Sequence, residues 1–262
     1  MSQVIVDCNG FSHSLDVPRH VALICDGNSR WAQARGLPSS FGHAAGSDRL
    51  LKCLETLKEK GVSYCTFYGF STENWKRSDG EIQDILSIIE RTANNFCERA
   101  IKEKVRVKIL GDLDDERIPK SLRDSLMSLQ SKTYSSTHEE INVFTVCLAI
   151  NYGGRQDILN ACLRLASAIS EGSADSKHIS EDEFNRYLST VNIPDPDLVI
   201  RTGGDQRLSN FLLWNLAYTE LYFTDVLWPD LDPTELNTAL KWFSVRSRRY
   251  GGRQNNVSQI IA

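Results

Sequence analysis

Three short stretches of the chain gather groups that could handle an anion. Cys25-Asp26-Gly27-Asn28-Ser29-Arg30-Trp31 joins a carboxylate to two residues that tolerate unusual backbone angles and to an arginine. Successive N–H groups at Gly27 and Asn28 can converge on phosphate oxygens, and the Arg30 guanidinium is a fork matched to them. A carboxylate beside such a cradle suits Mg²⁺, a hard ion that prefers oxygen ligands. An ordinary strand-to-helix turn has the same composition, and spacing alone does not choose between the two. The stretch is neither a Walker A loop nor a G-x-G-x-x-G fingerprint. Ser71-Thr72-Glu73-Asn74-Trp75-Lys76-Arg77 offers Trp75 for packing and Arg77 for an anion. Taken alone, it reads as a capped turn with solvated charges. Arg201-Thr202-Gly203-Gly204-Asp205-Gln206-Arg207-Leu208-Ser209-Asn210 sets two arginines around a Gly-Gly turn with two hydroxyls, and reads as a second anion site. The apolar run Phe211-Leu212-Leu213-Trp214 follows it. Anion sites beside apolar sequence fit a ligand with a diphosphate head and a hydrocarbon tail. The pattern does not choose the reaction.

These stretches need strands to deliver them. The spacing predicts strands at His20–Cys25, Ser63–Phe70, Val105–Leu110, Asn142–Ile150, Leu198–Ile200 and Glu220–Phe223, because each is short, apolar and rich in β-branched or aromatic residues. Between them lie segments of helical period. Leu50, Leu51, Cys53, Leu54 and Leu57 mark one helical face, which Gly61 should end. Ser78 and Glu81 form a capping box, Ser180 and Glu183 another. Asp232-Pro233 opens a last helix, expected to run to about Tyr250. Strands alternating with helices predict one α/β domain, a mostly parallel six-stranded sheet flanked by helices. In such a sheet ligands bind beyond the carboxyl ends of the strands, where all three stretches fall.

Composition narrows the partners. The 262 residues carry 30 basic and 34 acidic side chains, a net charge of −4, which argues against a nucleic-acid partner. Seven cysteines, an odd number without C-x-x-C spacing, read as buried thiols in a reducing compartment. The N-terminus has no signal-peptide pattern, and no stretch approaches 18 apolar residues. The expectation is a cytoplasmic protein.

Read together, the blocks resemble the cis-prenyltransferases, the undecaprenyl diphosphate synthase family. The resemblance rests on His20-Val21-Ala22 leading to Asp26-Gly27-Asn28 and Arg30-Trp31-Ala32, on Gly42-His43, and on Phe70-Ser71-Thr72-Glu73-Asn74-Trp75 with Arg77. It continues through Asn151-Tyr152-Gly153-Gly154-Arg155, Asp197 to Gly204, Arg207 to Trp214, Trp228-Pro229 and Arg249-Tyr250-Gly251-Gly252. It implies a domain over 18–252 between an N-terminal segment (1–17) and a tail (253–262). It further implies Mg²⁺-dependent condensation of isopentenyl diphosphate with an allylic diphosphate. In that reading Asp26 and Asn74 are catalytic, and Asp26 with Glu220 holds the metal. Gly27, Asn28, Ser29, Arg30 and His43 hold the allylic diphosphate, with Trp31, Ser71, Thr72, Glu73, Trp75 and Arg77 around it. Arg201, Arg207, Leu208 and Ser209 take isopentenyl diphosphate. Arg249 and Gly251 belong to a motif that reaches across a homodimer. Ser47, Gly69 and Phe144 match the wall and floor of a hydrophobic tunnel between sheet and helices. Each C5 unit buried there contributes roughly 4 kcal/mol at about 0.8 per CH₂. A long product would also bring the protein against a membrane surface.

The chain departs from the family's pattern at several positions. Cys25 stands where Met is usual, Asp205 where Glu is usual, and Ser29 where the family commonly has Gly, Asn, Arg or Lys. Ser39 replaces an arginine common in bacterial members, which implies weaker allylic affinity or an altered allylic preference. A short-chain or irregular, head-to-middle condensation is the alternative within the same fold.

Overall fold

The run His-Val-Ala-Leu-Ile forms a central strand because both of its faces are covered. In the computed structural model, which describes the backbone at 4–6 and 12–14 and residues 16–138 and 142–248, β3 (His20–Ile24) is buried at every position. Val21 and Leu23 enter one apolar cluster and Ala22 and Ile24 another, on the opposite face of the sheet. That alternation explains a continuous apolar run in a strand of period two.

A short antiparallel pair, β1 (Val4–Val6) and β2 (Ser12–Ser14), precedes it and was not foreseen from the mixed N-terminal sequence. After β3 come α1 (Asn28–Gln33), α2 (Ser39–Glu59), β4 (Tyr64–Ser71) and a 3₁₀ turn over Thr72–Lys76. Then follow α3 (Asp79–Lys102), β5 (Arg106–Leu110), α4 (Lys120–Thr137), β6 (Thr145–Tyr152) and α5 (Gly154–Ser170). The chain continues through α6 (Glu181–Asn185), β7 (Leu198–Arg201), β8 (Glu220–Phe223) and α7 (Pro233–Ser244). The sheet has the order β5-β6-β4-β3-β7-β8, and every pair in it is parallel. The larger core fills the space between one face of this sheet and residues of α2, α3, α4 and α7.

The anticipated caps are present: Ser78 accepts from the Glu81 N–H at 3.4 Å, Ser180 from Glu183, and Asp232 from Glu235. Gly61, with φ of 87°, follows the end of α2 as expected. Two boundaries differ. Helix α7 stops at Ser244, six residues short of Tyr250, where Arg246 and Arg248 turn to bind Glu220 and Asp197. Strand β6 starts at Thr145, so Phe144 precedes it, buried, with its carbonyl accepting the Arg106 N–H. No helix among the described residues is long and apolar enough to cross a membrane.

Candidate functional site

The strand order splits at β3: β4 leaves on one side and β7 on the other, which opens a crevice beyond their carboxyl ends. Asp26 follows β3 and Arg201 closes β7, so parallel neighbours carry them to the same rim. Arg201 donates to Asp26 Oδ2 at 2.9 Å, and Arg30 reaches Asp26 Oδ1 at 3.1 Å. Burial alone would raise the Asp26 carboxyl, but the hydrogen bonds from Arg201 and Arg30 outweigh it and hold the group below the ordinary range. Asp26 is therefore a carboxylate at any neutral pH.

Arg201 is 3% exposed. It also bonds the Arg207 carbonyl, and it donates to Ser209 Oγ at 2.8 Å, while its Nε is buried without a partner. Asp205 Oδ2 accepts from Arg207 at 2.5 Å and from Arg201 at 3.4 Å. Leu208 packs in the smaller apolar cluster behind them. Gly203 has φ of 86°, and its carbonyl accepts from Arg30 at 2.5 Å. The Gly-Gly turn thus folds the second anion stretch back onto the first.

Gly27 caps α1 in the left-handed region, with φ of 108°. A Cβ at Gly42 would collide with the Asn28 carbonyl, so only glycine lets α2 pack this close to α1. The close approach brings His43 beside Ser29, 3.5 Å from its hydroxyl, and 3.6 Å from Glu81. Burial pushes the His43 imidazole down, Arg77 adds to this, and Glu81 opposes it. Arg77 donates to the same Glu81 carboxylate at 2.8 Å. The Trp31 indole N–H binds Asp230 at 2.7 Å, under the Arg35 guanidinium. On the 3₁₀ turn, Asn74 Oδ1 accepts the Ser71 N–H at 2.9 Å. Glu73 accepts from Asn210 at 2.8 Å and from Thr72 at 3.3 Å.

One cavity of about 650 Å³ links these groups to the core. Asp26, His43, Arg77, Arg201, Arg207 and Ser209 line its polar part. Ile85, Ile88, Ile89, Ala93, Phe96 and Leu129 line its apolar part, with Ser47 and Gly69 on the wall. Ser47 and Thr92 bond each other there, joining α2 to α3.

Not every expected residue gathers at this rim. Glu220 begins β8 and pairs with Leu198, at the amino end of the sheet, where it binds Arg246 at 2.9 Å. Three residues of strand separate that level from Arg201, about 10 Å at roughly 3.3 Å per residue. The fold does not bring Glu220 to Asp26 within one chain. Phe144 lies with Lys58, Val62 and Lys104 in a groove at the amino end, outside the cavity's lining. Arg249 and Gly251 lie outside the described residues. Conversely, the sequence showed Glu81 only as a cap, whereas it also binds His43 and Arg77. The spacing of Ile85, Ile88, Ile89 and Phe96 on one helical face could have flagged the cavity wall.

The family model described as "Putative undecaprenyl diphosphate synthase" matches residues 24–251. An isoprenyl transferase of Fusobacterium nucleatum is 42% identical over 240 residues, covering 92% of this chain and 98% of that protein. An isoprenyl transferase of Porphyromonas gingivalis is 40% identical over 242 residues, 92% of each chain. Among solved structures, the lavandulyl diphosphate synthase of Lavandula x intermedia, in complex with dimethylallyl diphosphate, is 32% identical with a TM-score of 0.83. It covers 90% of this chain and 98% of its own. A "probable undecaprenyl diphosphate synthase" of Campylobacter jejuni is 30% identical with a TM-score of 0.72, covering 90% and 99%. This chain belongs to the undecaprenyl diphosphate synthase family of prenyltransferases.

Proposed function

We propose that this protein condenses isopentenyl diphosphate with an allylic diphosphate, farnesyl or shorter, to give a Z-polyprenyl diphosphate and free diphosphate. The observation that carries this reading is one continuous cavity with Asp26, Arg201, Arg207 and Ser209 on its polar part and Ile85, Ile88, Ile89, Phe96 and Leu129 on its apolar part. A diphosphate head fits the first and a hydrocarbon tail the second. The complex of the lavender synthase with dimethylallyl diphosphate supports an allylic diphosphate as one substrate.

Ionising the allylic C–O bond leaves its electron pair on the departing diphosphate. Arg30, Arg77 and the α1 backbone N–H groups stabilise that growing charge more than the ground state. The isopentenyl double bond attacks the allylic cation, and the resulting cation gives up one proton, to a base or to the departing diphosphate, so that the C–H electron pair becomes the new double bond. Arg201, Arg207 and Ser209 hold the second diphosphate. The apolar wall excludes water, which would otherwise capture the cation.

The donor set fits Mg²⁺. Asp26 is a hard, ionised oxygen ligand on the cavity wall, and Mg²⁺ commonly takes one or two carboxylates together with substrate phosphate oxygens. When bound, the ion would offset negative charge on the leaving diphosphate. Glu220, bound to Arg246 at the far end of the sheet, is left out of that set. We also propose a homodimer with a cytoplasmic location against a membrane. Exposed Leu159, Leu163 and Tyr218 supply apolar surface for a second copy.

The test is to incubate the protein with labelled isopentenyl diphosphate, Mg²⁺ and, in turn, dimethylallyl, geranyl and farnesyl diphosphates. The expected result is a ladder ending in one long product. A single short product would replace elongation with short-chain synthesis, and a branched one would replace it with an irregular, head-to-middle condensation. No product with any primer would overturn all three.

A further inference from the structure

The turn that carries Asn74 is held by a closed ring of contacts whose members lie outside the cavity's lining. The Trp75 indole N–H donates to Asn151 Oδ1 at 2.7 Å. Asn151 Nδ2 donates to the Asp112 carbonyl at 2.8 Å and to Asp115 Oδ2 at 3.3 Å. Asp115 in turn accepts from Arg117, at 2.9 Å to Oδ1 and 2.6 Å to Oδ2. The Arg117 guanidinium then covers the Trp75 ring, 4.4 Å from its centroid, and closes the circuit. The edge of Trp75 meets Phe70 at 4.9 Å between centroids.

Three features mark Asn151 as the pivot. It is 3% exposed, so any amide atom left unpaired would be costly. It sits in the left-handed region, with φ of 48°, where Asn is better tolerated than most side chains. It also lies at the carboxyl end of β6, beside β4, so it ties the turn to the sheet rather than to another loop. The turn it holds is short. Ser71 closes β4, Asn74 Oδ1 takes the Ser71 N–H, and Asn74 lines the cavity. A shift of Trp75 would carry Asn74 with it.

We propose that Asn151 is a positioning residue for the condensation, acting through Trp75 to fix Asn74 at the cavity, with Asp115 and Arg117 completing the brace. This rests on the proposed function only in naming the reaction. Asn151 touches no reacting atom. Its effect belongs in the rate of the condensing step rather than in the binding of either diphosphate.

Four variants test it. Trp75→Phe keeps a ring against Phe70 and Arg117 but removes the N–H. Asn151→Gly keeps the left-handed backbone and removes the amide. Asn151→Asp keeps an acceptor for the indole but loses the two donors and faces Asp115, so it should rescue only part of the loss. Arg117→Gln changes an exposed residue and serves if Asn151→Gly does not fold. Two readouts are taken on the full chain. Amide exchange followed by mass spectrometry should rise in residues 71–77 of each variant while β3, β4 and β7 stay protected. In the Asn151 and Arg117 variants kcat should fall by about tenfold to a hundredfold, with KM for both diphosphates nearly unchanged. Unchanged exchange in 71–77 overturns the brace, whatever the enzyme's activity. Raised exchange with full kcat overturns its part in the reaction. If the wild-type protein makes no prenyl product, the proposed function fails, and the exchange measurement still decides whether the ring holds the turn.

Discussion

The two ends of one sheet carry similar ion pairs and put them to different uses. At the amino end, Asp197 Oδ2 accepts the N–H groups of Arg19 and His20 at 2.7 and 3.1 Å, and Oδ1 accepts from Arg248 at 2.5 Å. Glu220 binds Arg246 beside it. None of these acidic groups lines the large cavity. At the carboxyl end, Asp26 and Arg201 also pair, yet both border that cavity, and Arg201 keeps a buried Nε without a partner. Buried polar groups are usually satisfied, so an incomplete one on the arginine that holds Asp26 sets this pair apart from those at the amino end. Pairing of charge is common to both ends. Open access and an unmet bond distinguish the one proposed to do chemistry.

The sharpest way to break this comparison is at Asp26. Asp26→Ala should lower kcat/KM by about 10³-fold, the scale on which loss of a preorganised charged group is felt, while the protein stays folded. Product formation and a thermal melt on the same sample decide it, and full activity in the variant would remove Asp26 from the machinery. At the amino end the expected effect is on stability. His20 Nδ1 donates to the Pro194 carbonyl at 2.6 Å, and Nε2 lies 2.8 Å from Thr66 Oγ1. Burial pushes its pKa down to about 4, against partial opposition from the Pro194 bond and Asp197. The unfolded chain therefore binds this proton more readily than the folded one. The stabilisation is complete above about pH 6.5 and is lost as pH falls toward 4, for about 3 kcal/mol in all. His20→Gln should flatten the pH dependence of urea unfolding by that amount, and an unaltered slope would show that other groups set it.

Much of this contrast was legible in the residues. The βα alternation, five of the six principal strands to within two residues and the glycine turns were readable because local period and turn chemistry dictate them. So was the placing of Asp26, Asn74 and Arg201 after strands, hence at one rim. What was not legible is what depends on depth and register. Strand β6 begins three residues later than its apolar run, so Phe144 falls before the strand. Periodicity cannot tell a strand residue from the extended residue that leads into it. The resemblance joins Glu220 to Asp26 at the metal, whereas the pairing of Glu220 with Leu198 sets it at the amino end of the sheet. The Asn151 ring joins residues 75, 115, 117 and 151, which no local pattern connects.

A smaller effect should come from removing the amino-end clasp. Asp197→Ala leaves the His20 N–H and the Arg248 guanidinium without their carboxylate and should cost about 2 kcal/mol. For a chain of this size that is a fall in Tm of about 4–8 °C. Turnover per folded molecule at ambient temperature should hold, because the clasp lies outside the cavity. A large loss of turnover at an unchanged Tm would erase the division between the two ends.

The smallest change sharpens the comparison by adding charge to the carboxyl end. Ser39 is the first residue of α2, one turn before His43 on the same helical face, and His43 lines the cavity. An arginine there could reach the same anion as Arg30 and Arg77. Two effects compete. A cation near a helix N-terminus opposes the macrodipole and costs about 0.3–1 kcal/mol. A charge-assisted hydrogen bond to a bound diphosphate contributes about 1.5–3 kcal/mol. The first acts with or without substrate and the second only with it, so they separate experimentally. Ser39→Arg should lower Tm slightly in the free protein and lower the allylic KM about tenfold, with the KM for isopentenyl diphosphate unchanged. An equal fall in both KM values would mean that the added charge acts as a general field over the rim, and that the two anion stretches are not separate subsites.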